Sequence, residues 1–309
     1  MAKKKEVIFD FPKPIDTTFL VGHDDVKKNF LNAWNNRDNY AMHPVWLLSG
    51  PKGIGKATLA YNFARKIFSD LCCKNESDVA EQMSVGGIGD LFIVDLEHNV
   101  VPKTTISIET IRAMIEKMQM SSMGETWRVA IIDSIDELSR GTENTLLKTL
   151  EEPPAKTIFF LIAHSLDGVL PTIRSRSHIE KLRPLSSMEL REISSRLLPD
   201  KELSDDIIKI SGGSFGRIAN LIATGADNLF RDAKDLLSDK SANASDYLAF
   251  AKRVSGYPEN MTVFLDVAAS LGLAELYPAI QSDIEKMESL HLDAELVAFK
   301  IIEDIKKCV

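Results

Sequence analysis

A short apolar run, Val45-Trp46-Leu47-Leu48-Ser49, stops at Gly50-Pro51-Lys52-Gly53-Ile54-Gly55-Lys56 and passes straight into the helix-forming stretch Ala57–Phe68. No other feature of the chain restricts its fold as much. A buried strand, a glycine-rich turn and a helix in immediate succession are the first unit of a parallel α/β sheet. The turn also has the spacing G-x-x-x-x-G-K. Glycines there let backbone N–H groups converge on an anion, the helix N-terminus adds partial positive charge, and the lysine reaches the outer phosphates of a nucleotide. Gly50, Gly53, Gly55 and Lys56 are therefore candidate nucleotide-binding residues.

The alternation continues downstream. Leu91–Asp95, Val129–Asp133 and Ile158–Ala163 read as further buried strands. Ile108, Ile111, Ile115 and Met118 recur at helical spacing and predict an amphipathic helix over 106–122. A second helix is expected from Glu143 to Glu152, stopped by Pro153-Pro154. The polar, glycine-containing stretch 72–90 is expected to be a loop or small insertion. Past Arg183-Pro184 the strand signal ends. Residues 187–225 and 228–309 read as two helical blocks, with Gly256-Tyr257-Pro258 and Tyr277-Pro278 as punctuation. The expected organisation is an α/β parallel-sheet domain over 1–184, a small helical domain over 187–225 and an all-α domain over 228–309. A length of 309 residues suits two domains or three small ones.

Composition excludes several classes. Hydrophobic residues make up 44% and no run approaches the length of a membrane-crossing helix. The opening MAKKKEVIFDFPKP has no apolar signal segment, so a cytoplasmic location without membrane contact is expected. Net charge is −8, and neither residues 1–180 nor 181–309 are net positive. A chain gripping DNA alone carries a basic footprint, so any DNA contact here is shared. Cys72 and Cys73 are adjacent and Cys308 is far away, which gives neither a disulfide framework nor zinc-ligand spacing. No zinc is expected, and the two adjacent thiols are expected on a surface loop.

Two parts needed for nucleotide hydrolysis are altered. A phosphate loop usually continues with Ser or Thr, whose hydroxyl ligates Mg²⁺; here it is Ala57. Thr58 lies about 100° further round the helix, suited to an α-phosphate rather than to the missing ligand position. Asp133 ends its strand where a carboxylate orients Mg²⁺, though a strand-end Asp also serves as a turn cap. Ser134 follows where a water-activating glutamate is usual, and a serine is no base near neutral pH. Asp136 and Glu137 fall on the loop beyond. The expectation is weak or static ATP binding without turnover, and no metal ligand set is assigned.

The assembled motifs are specific. Gly50–Ala60, Asn144-Thr145-Leu146-Leu147-Lys148-Thr149-Leu150-Glu151-Glu152-Pro153-Pro154 and Pro171-Thr172-Ile173-Arg174-Ser175-Arg176-Ser177 together resemble the delta-prime class of bacterial clamp-loader subunits, within the AAA+ family. His43-Pro44-Val45-Trp46-Leu47-Leu48 fits the same pattern. The motifs span residues 22–217; the last ninety or so match only in length and helical character. The resemblance implies an AAA+ P-loop module, a helical lid over 187–225 and a helical collar over 228–309. It implies a non-hydrolysing partner within a polymerase III holoenzyme. That partner works with gamma/tau-type motor subunits and the delta subunit, and meets the sliding clamp and primed DNA through the complex. It also implies that Arg176, in Ser175-Arg176-Ser177, is supplied in trans to a neighbouring ATP site. A guanidinium stays charged and matches phosphate geometry, and the family cysteine replaced by Ser177 leaves that chemistry unaffected. Arg174 shares a face with Arg176 if the segment is extended. The family's polar sensor position matches Ala163, followed by His164. The lid arginine matches Arg217, one residue late after Gly212-Gly213-Ser214. Clusters such as Val263-Phe264-Leu265 and Leu296-Val297-Ala298-Phe299 are expected at collar helix contacts or in plain core. Two rivals are an active motor ATPase of the same assembly, favoured by Lys56 and Asp133, and a stand-alone nucleotide kinase. The helical last third and the Leu-Leu-Lys-Thr-Leu-Glu-Glu-Pro-Pro segment oppose the kinase.

Overall fold

Five segments pair in parallel: β1 (Val45–Ser49), β2 (Leu91–Val94), β3 (Arg128–Asp133), β4 (Thr157–Ala163) and β5 (His178–Lys181), in the order β2-β3-β4-β1-β5. The computed structural model describes residues 11–39, 42–95, 106–120, 126–199, 201–256 and 261–309. Expectations on residues 1–10, 121–122 and Tyr257-Pro258 lie outside the described residues. Register sets Ser49 beside Ala163 and Asp133 beside Ile162, so the carboxyl ends of β1, β3 and β4 lie together. In a parallel sheet that end carries ligands where the strand order reverses.

Residues alternate across the sheet. Trp46, Leu48, Phe160 and Ile162 face a layer made by α1 (Asp24–Asn35), α2 (Lys56–Cys72) and α3 (Glu76–Ser84). Phe30 of α1 and Phe63 of α2 stack at 3.9 Å in its centre. Val45, Leu47, Phe159 and Leu161 face the opposite layer, made by α4 (Ile108–Met120) and α5 (Arg140–Glu151). A one-turn helix, α6 (Pro171–Arg174), leads into β5.

The rest is helical: α7 (Ser187–Leu197), α8 (Asp205–Ile210), α9 (Phe215–Ala223), α10 (Ala226–Ser238), α11 (Ala244–Ser255), α12 (Val263–Ser270), α13 (Tyr277–Leu290) and α14 (Ala294–Cys308). Among the described residues no strand follows Lys181. The chain separates into two compact units. One is Pro12–Ile193 with Ser214–Gly216; the other is Ser194–Gly213 with Arg217–Val309 and Phe11. Within the helical unit, α11 lies along α14 and α10 against α12. Val263, Phe264, Val297 and Ala298 are buried there, while Leu296 is exposed.

Several expectations need correction. The stretch 72–90 is not loop throughout: α3 occupies Glu76–Ser84 between turns. Glu76 and Asp78 fill the first turn of α3, and Val79, Ala80 and Met83 bury one face. Cys72 closes α2 and Cys73 caps it in the left-handed region; both are exposed, but on a helix end. β5 had no apolar signature, because only Glu180 of its four residues is buried. The Arg174–Arg176 segment is a helical turn rather than extended, with the Arg176 amide donating to Ile173 O and the Ser177 amide to Arg174 O. Two residues apart on a helical turn is about 200°, so the two arginines diverge.

Candidate phosphate site and arginine segment

The carbonyls of the glycine-rich loop are all engaged. Lys56 Nζ donates to Gly50 O and Pro51 O, each at 2.7 Å. Ser214 Oγ donates to Lys52 O at 2.9 Å, and the Gly216 amide to Gly53 O at 2.9 Å. His23 Nε2 donates to Ile54 O at 2.8 Å, and the Leu59 amide to Gly55 O at 2.9 Å. The amides of Gly53, Ile54 and Gly55 make no hydrogen bond among the described residues. With carbonyls tied on one side, the amides are left as an open nest at the start of α2, the geometry that accepts phosphate oxygens. Gly53 and Gly55 have φ of 77° and 96°, where only glycine is unstrained.

Gly53 has a second constraint. A Cβ there would meet Ser214 Oγ at 2.4 Å and Gly216 Cα at 2.9 Å. The tripeptide Ser214–Gly216 thus lies directly on the loop, within the same compact unit. It is separated from the loop by about half the chain, and sequence spacing gave no sign of it.

Lys56 is buried at 4% exposure, and burial pulls its ammonium down to about 8, opposed by the nearby carboxylates of Asp133 and Asp136. Gly50, Gly53, Gly55, Lys56 and Asp133 are therefore brought to one end of the sheet. Thr58 is half-buried in the first turn of α2. Ala57 presents no oxygen, so the residues present fit a nucleotide's phosphates but supply Asp133 alone of the two usual Mg²⁺-directing groups.

Beyond Asp133 the side chains form a closed relay. Ser134 Oγ donates to Asp133 Oδ1 at 3.2 Å, and His164 Nε2 lies 3.0 Å from Ser134 Oγ. With the serine proton directed at Asp133, the Ser134 oxygen is free to accept from His164 Nε2, and the buried Nδ1 of that ring has no partner among the described residues. Burial, then the charge of Lys56, lowers the His164 pKa, so the ring is neutral near pH 7. Burial raises the Asp133 pKa, with His164 and the Ser134 hydrogen bond opposing. Asp136 has a structural role at this end of the sheet. Its Oδ2 accepts the amides of His164 and Ser165, both at 2.8 Å, and fastens the exit of β4.

Arg176 lies on a separate segment. Its NH1 donates to Thr172 O at 3.0 Å, and its NH2 pairs with Glu151 Oε1 at 2.9 Å. That segment is anchored from below by Glu143, 2% exposed, which accepts the Leu170 amide at 3.2 Å. Arg217 belongs to the helical unit and is paired with the buried Asp266.

A family profile described as "DNA polymerase III, delta subunit" matches residues 23–186, more than half of the chain. The chain belongs to this family. The delta-subunit match covers the phosphate loop, the Asp133 relay and the Arg176 segment. Similar proteins include DNA polymerase III subunit tau of Bacillus subtilis (strain 168), 29% identical over 234 residues, which are 74% of this chain and 38% of that protein. Subunit delta' of Pseudomonas aeruginosa is 29% identical over 192 residues, 59% of this chain and 56% of that protein. The chain therefore spans from 38% to 56% of the length of these curated relatives. Among solved structures, the Aeropyrum pernix ORC1 protein in complex with DNA is similar with a TM-score of 0.50 and 14% identity, covering 94% of each chain. The fold is an α/β AAA+ module with a helical C-terminal part. Among the described residues, no helix is long and apolar enough to cross a membrane, and no group of three or more His, Cys, Asp or Glu could hold a metal ion.

Sequence reasoning missed Glu143, His23 and the Ser214–Gly216 contact. Glu143 carried a signal in principle, as an acidic residue on the apolar face of a helix. His23 carried none, since its partner is a backbone carbonyl 31 residues away.

Proposed function

We propose that this chain is a delta-prime-like clamp-loader subunit that does not hydrolyse ATP and delivers Arg176 to the ATP site of a neighbouring motor subunit. The observation that carries the reading is the relay His164–Ser134–Asp133. The position suited to activating water holds a hydroxyl already committed to Asp133, and Ala57 offers no metal ligand. Nucleotide, if taken up, is held by the amides of residues 53–55 and by Lys56, weakly or statically. No zinc is assigned. Gamma/tau-type subunits, a delta subunit, the sliding clamp and primed DNA are the proposed partners, in the cytoplasm, during replication. Residues 187–225 act as a lid and 228–309 as a collar.

The family membership and the tau and delta' relatives support a polymerase III role. The alternative is an active motor subunit, favoured by the approach of Lys56 and Asp133. Paired ATP binding and steady-state hydrolysis by the purified chain with Mg²⁺, beside Lys56→Ala, separate the two. No turnover supports the non-hydrolysing reading. Clear Lys56-dependent turnover replaces it with the motor reading.

A further inference from the structure

The Arg176 guanidinium lies against the C-terminal end of α5. Glu151 is the last residue of α5 and Glu152 follows it. Both carboxylates lie at the carbonyl end of that helix, where the backbone adds partial negative charge. Lys148 is the basic residue of the last turn. Arg176 answers this field with a contact to Glu151 Oε1, and its NH1 donates to Thr172 O and, at 3.4 Å, to Ser175 Oγ. The pair is partly open to solvent, with side chains 39% and 46% exposed. Arg174, by contrast, makes no side-chain hydrogen bond or ion pair among the described residues. The helix end thus selects one of the two arginines.

We propose that Glu151 is a positioning residue that stows Arg176 against the end of α5 until a nucleotide triphosphate on a neighbouring subunit displaces it. The proposal rests on the trans role given to Arg176 above. A terminal phosphate carries more charge than a carboxylate and offers the guanidinium a two-pronged contact, so it wins the arginine when presented squarely. A single, solvent-exposed carboxylate contact is weak and biases the stowed state by ~1.5- to 5-fold. That is enough to lower idle hydrolysis without blocking a productive encounter.

The test uses the reconstituted clamp loader containing this chain, with ATP and without clamp or DNA. The variants are Glu151→Gln, Glu152→Gln and Arg176→Ala, and kcat and KM are read separately. Glu151→Gln is expected to raise kcat by about 1.5- to 5-fold with KM unchanged. Glu152→Gln removes the same charge from the same helix end without touching Arg176, and is expected to change neither. Arg176→Ala is expected to lower kcat. A lowered rate in Arg176→Ala with an unchanged or reduced rate in Glu151→Gln overturns the stowing role and leaves Arg176 standing. An equal rise in Glu152→Gln also overturns it, since net charge then explains the effect. An unchanged rate in Arg176→Ala overturns the trans role and the stowing role together.

Discussion

Gly53 and Gly55 sit two residues apart at similar positive φ, yet their surroundings differ, which makes them a matched pair for testing the contact on the phosphate loop. At Gly55 an added Cβ meets nothing within 4 Å. Gly55→Ala therefore costs only the left-handed backbone, ~1–2 kcal/mol. At Gly53 the Cβ lies 2.4 Å from Ser214 Oγ and 2.9 Å from Gly216 Cα. Ser214 must leave, so Lys52 O and a buried hydroxyl lose their bond, which adds ~1–3 kcal/mol. Gly53→Ala is thus expected to cost ~2–5 kcal/mol in total. Urea unfolding followed by tryptophan fluorescence reads the relevant unit selectively, because all three tryptophans, Trp34, Trp46 and Trp127, lie in Pro12–Ile193. Adding Ser214→Ala on each background closes a double-mutant cycle. It is expected to cost less beside Gly53→Ala than alone, since the closest clash has gone. Equal destabilisation by Gly53→Ala and Gly55→Ala, within ~0.5 kcal/mol, refutes the reasoning.

Other outcomes follow from the charged groups. Glu189 is held at about 2 by the Arg183 guanidinium at 2.8 Å and by Ser186. Its folded pKa is depressed, so its contribution is full above the ordinary glutamate value of 4.5 and is lost as pH falls toward 2. Glu189→Gln is expected to flatten the acid-unfolding profile across that window. Lys56 is lowered to about 8 from 10.5 by burial, so the folded state binds fewer protons and stability rises with pH between those values. The thermal stability of the wild type is expected to gain on Lys56→Met as pH rises through 8, and parallel pH profiles for the two proteins would contradict this. Arg217→Ala leaves the buried Asp266 carboxylate without its ion-pair partner and is expected to cost ~1–3 kcal/mol in helical-unit stability by circular dichroism. Burial already raises the Asp266 pKa, so part of that loss is recovered as pH falls and the group protonates.

The sheet was legible because β1, β3 and β4 are buried on both faces and β2 is covered at least in part on both, and such burial writes a continuous hydrophobic run into the sequence. The phosphate loop was legible because glycine spacing is a local code. β5 was not, since an edge strand with three of four residues facing outward or half-covered carries no run to read. α3 was hidden by its shortness and by the glycines after it, although Val79, Ala80 and Met83 hold one buried face. Within the site, Lys56 and Asp133 were readable from motif and strand end. The Ser134–His164 contact was not, because it joins the ends of two strands 30 residues apart. The same limit applies to Glu151 and Arg176. Each sits in a recognisable motif, and only the fold places them 2.9 Å from each other.

A complete glycine-rich loop beside an altered hydrolytic set is coherent on physical grounds. Six consecutive carbonyls turn toward the protein and take donors from Lys56, Ser214, Gly216, His23 and Leu59. The lysine alone closes two of them. A carbonyl taken out of water without a donor costs up to ~1–3 kcal/mol, and both Lys56 bonds are part-buried, so the loop has a structural use for Lys56 that is independent of any phosphate. The two demands differ in kind. Phosphate binding needs the positive charge, whereas the loop needs only donors. Lys56→Gln keeps an amide donor on a slightly shorter stem, and Lys56→Met keeps none. If the lysine serves the loop, Lys56→Gln is the more stable of the two by about the value of one hydrogen bond, ~1 kcal/mol, while both variants lose any nucleotide affinity. Equal stability of the two variants would mean that the carbonyl contacts contribute nothing and that the lysine serves a ligand alone.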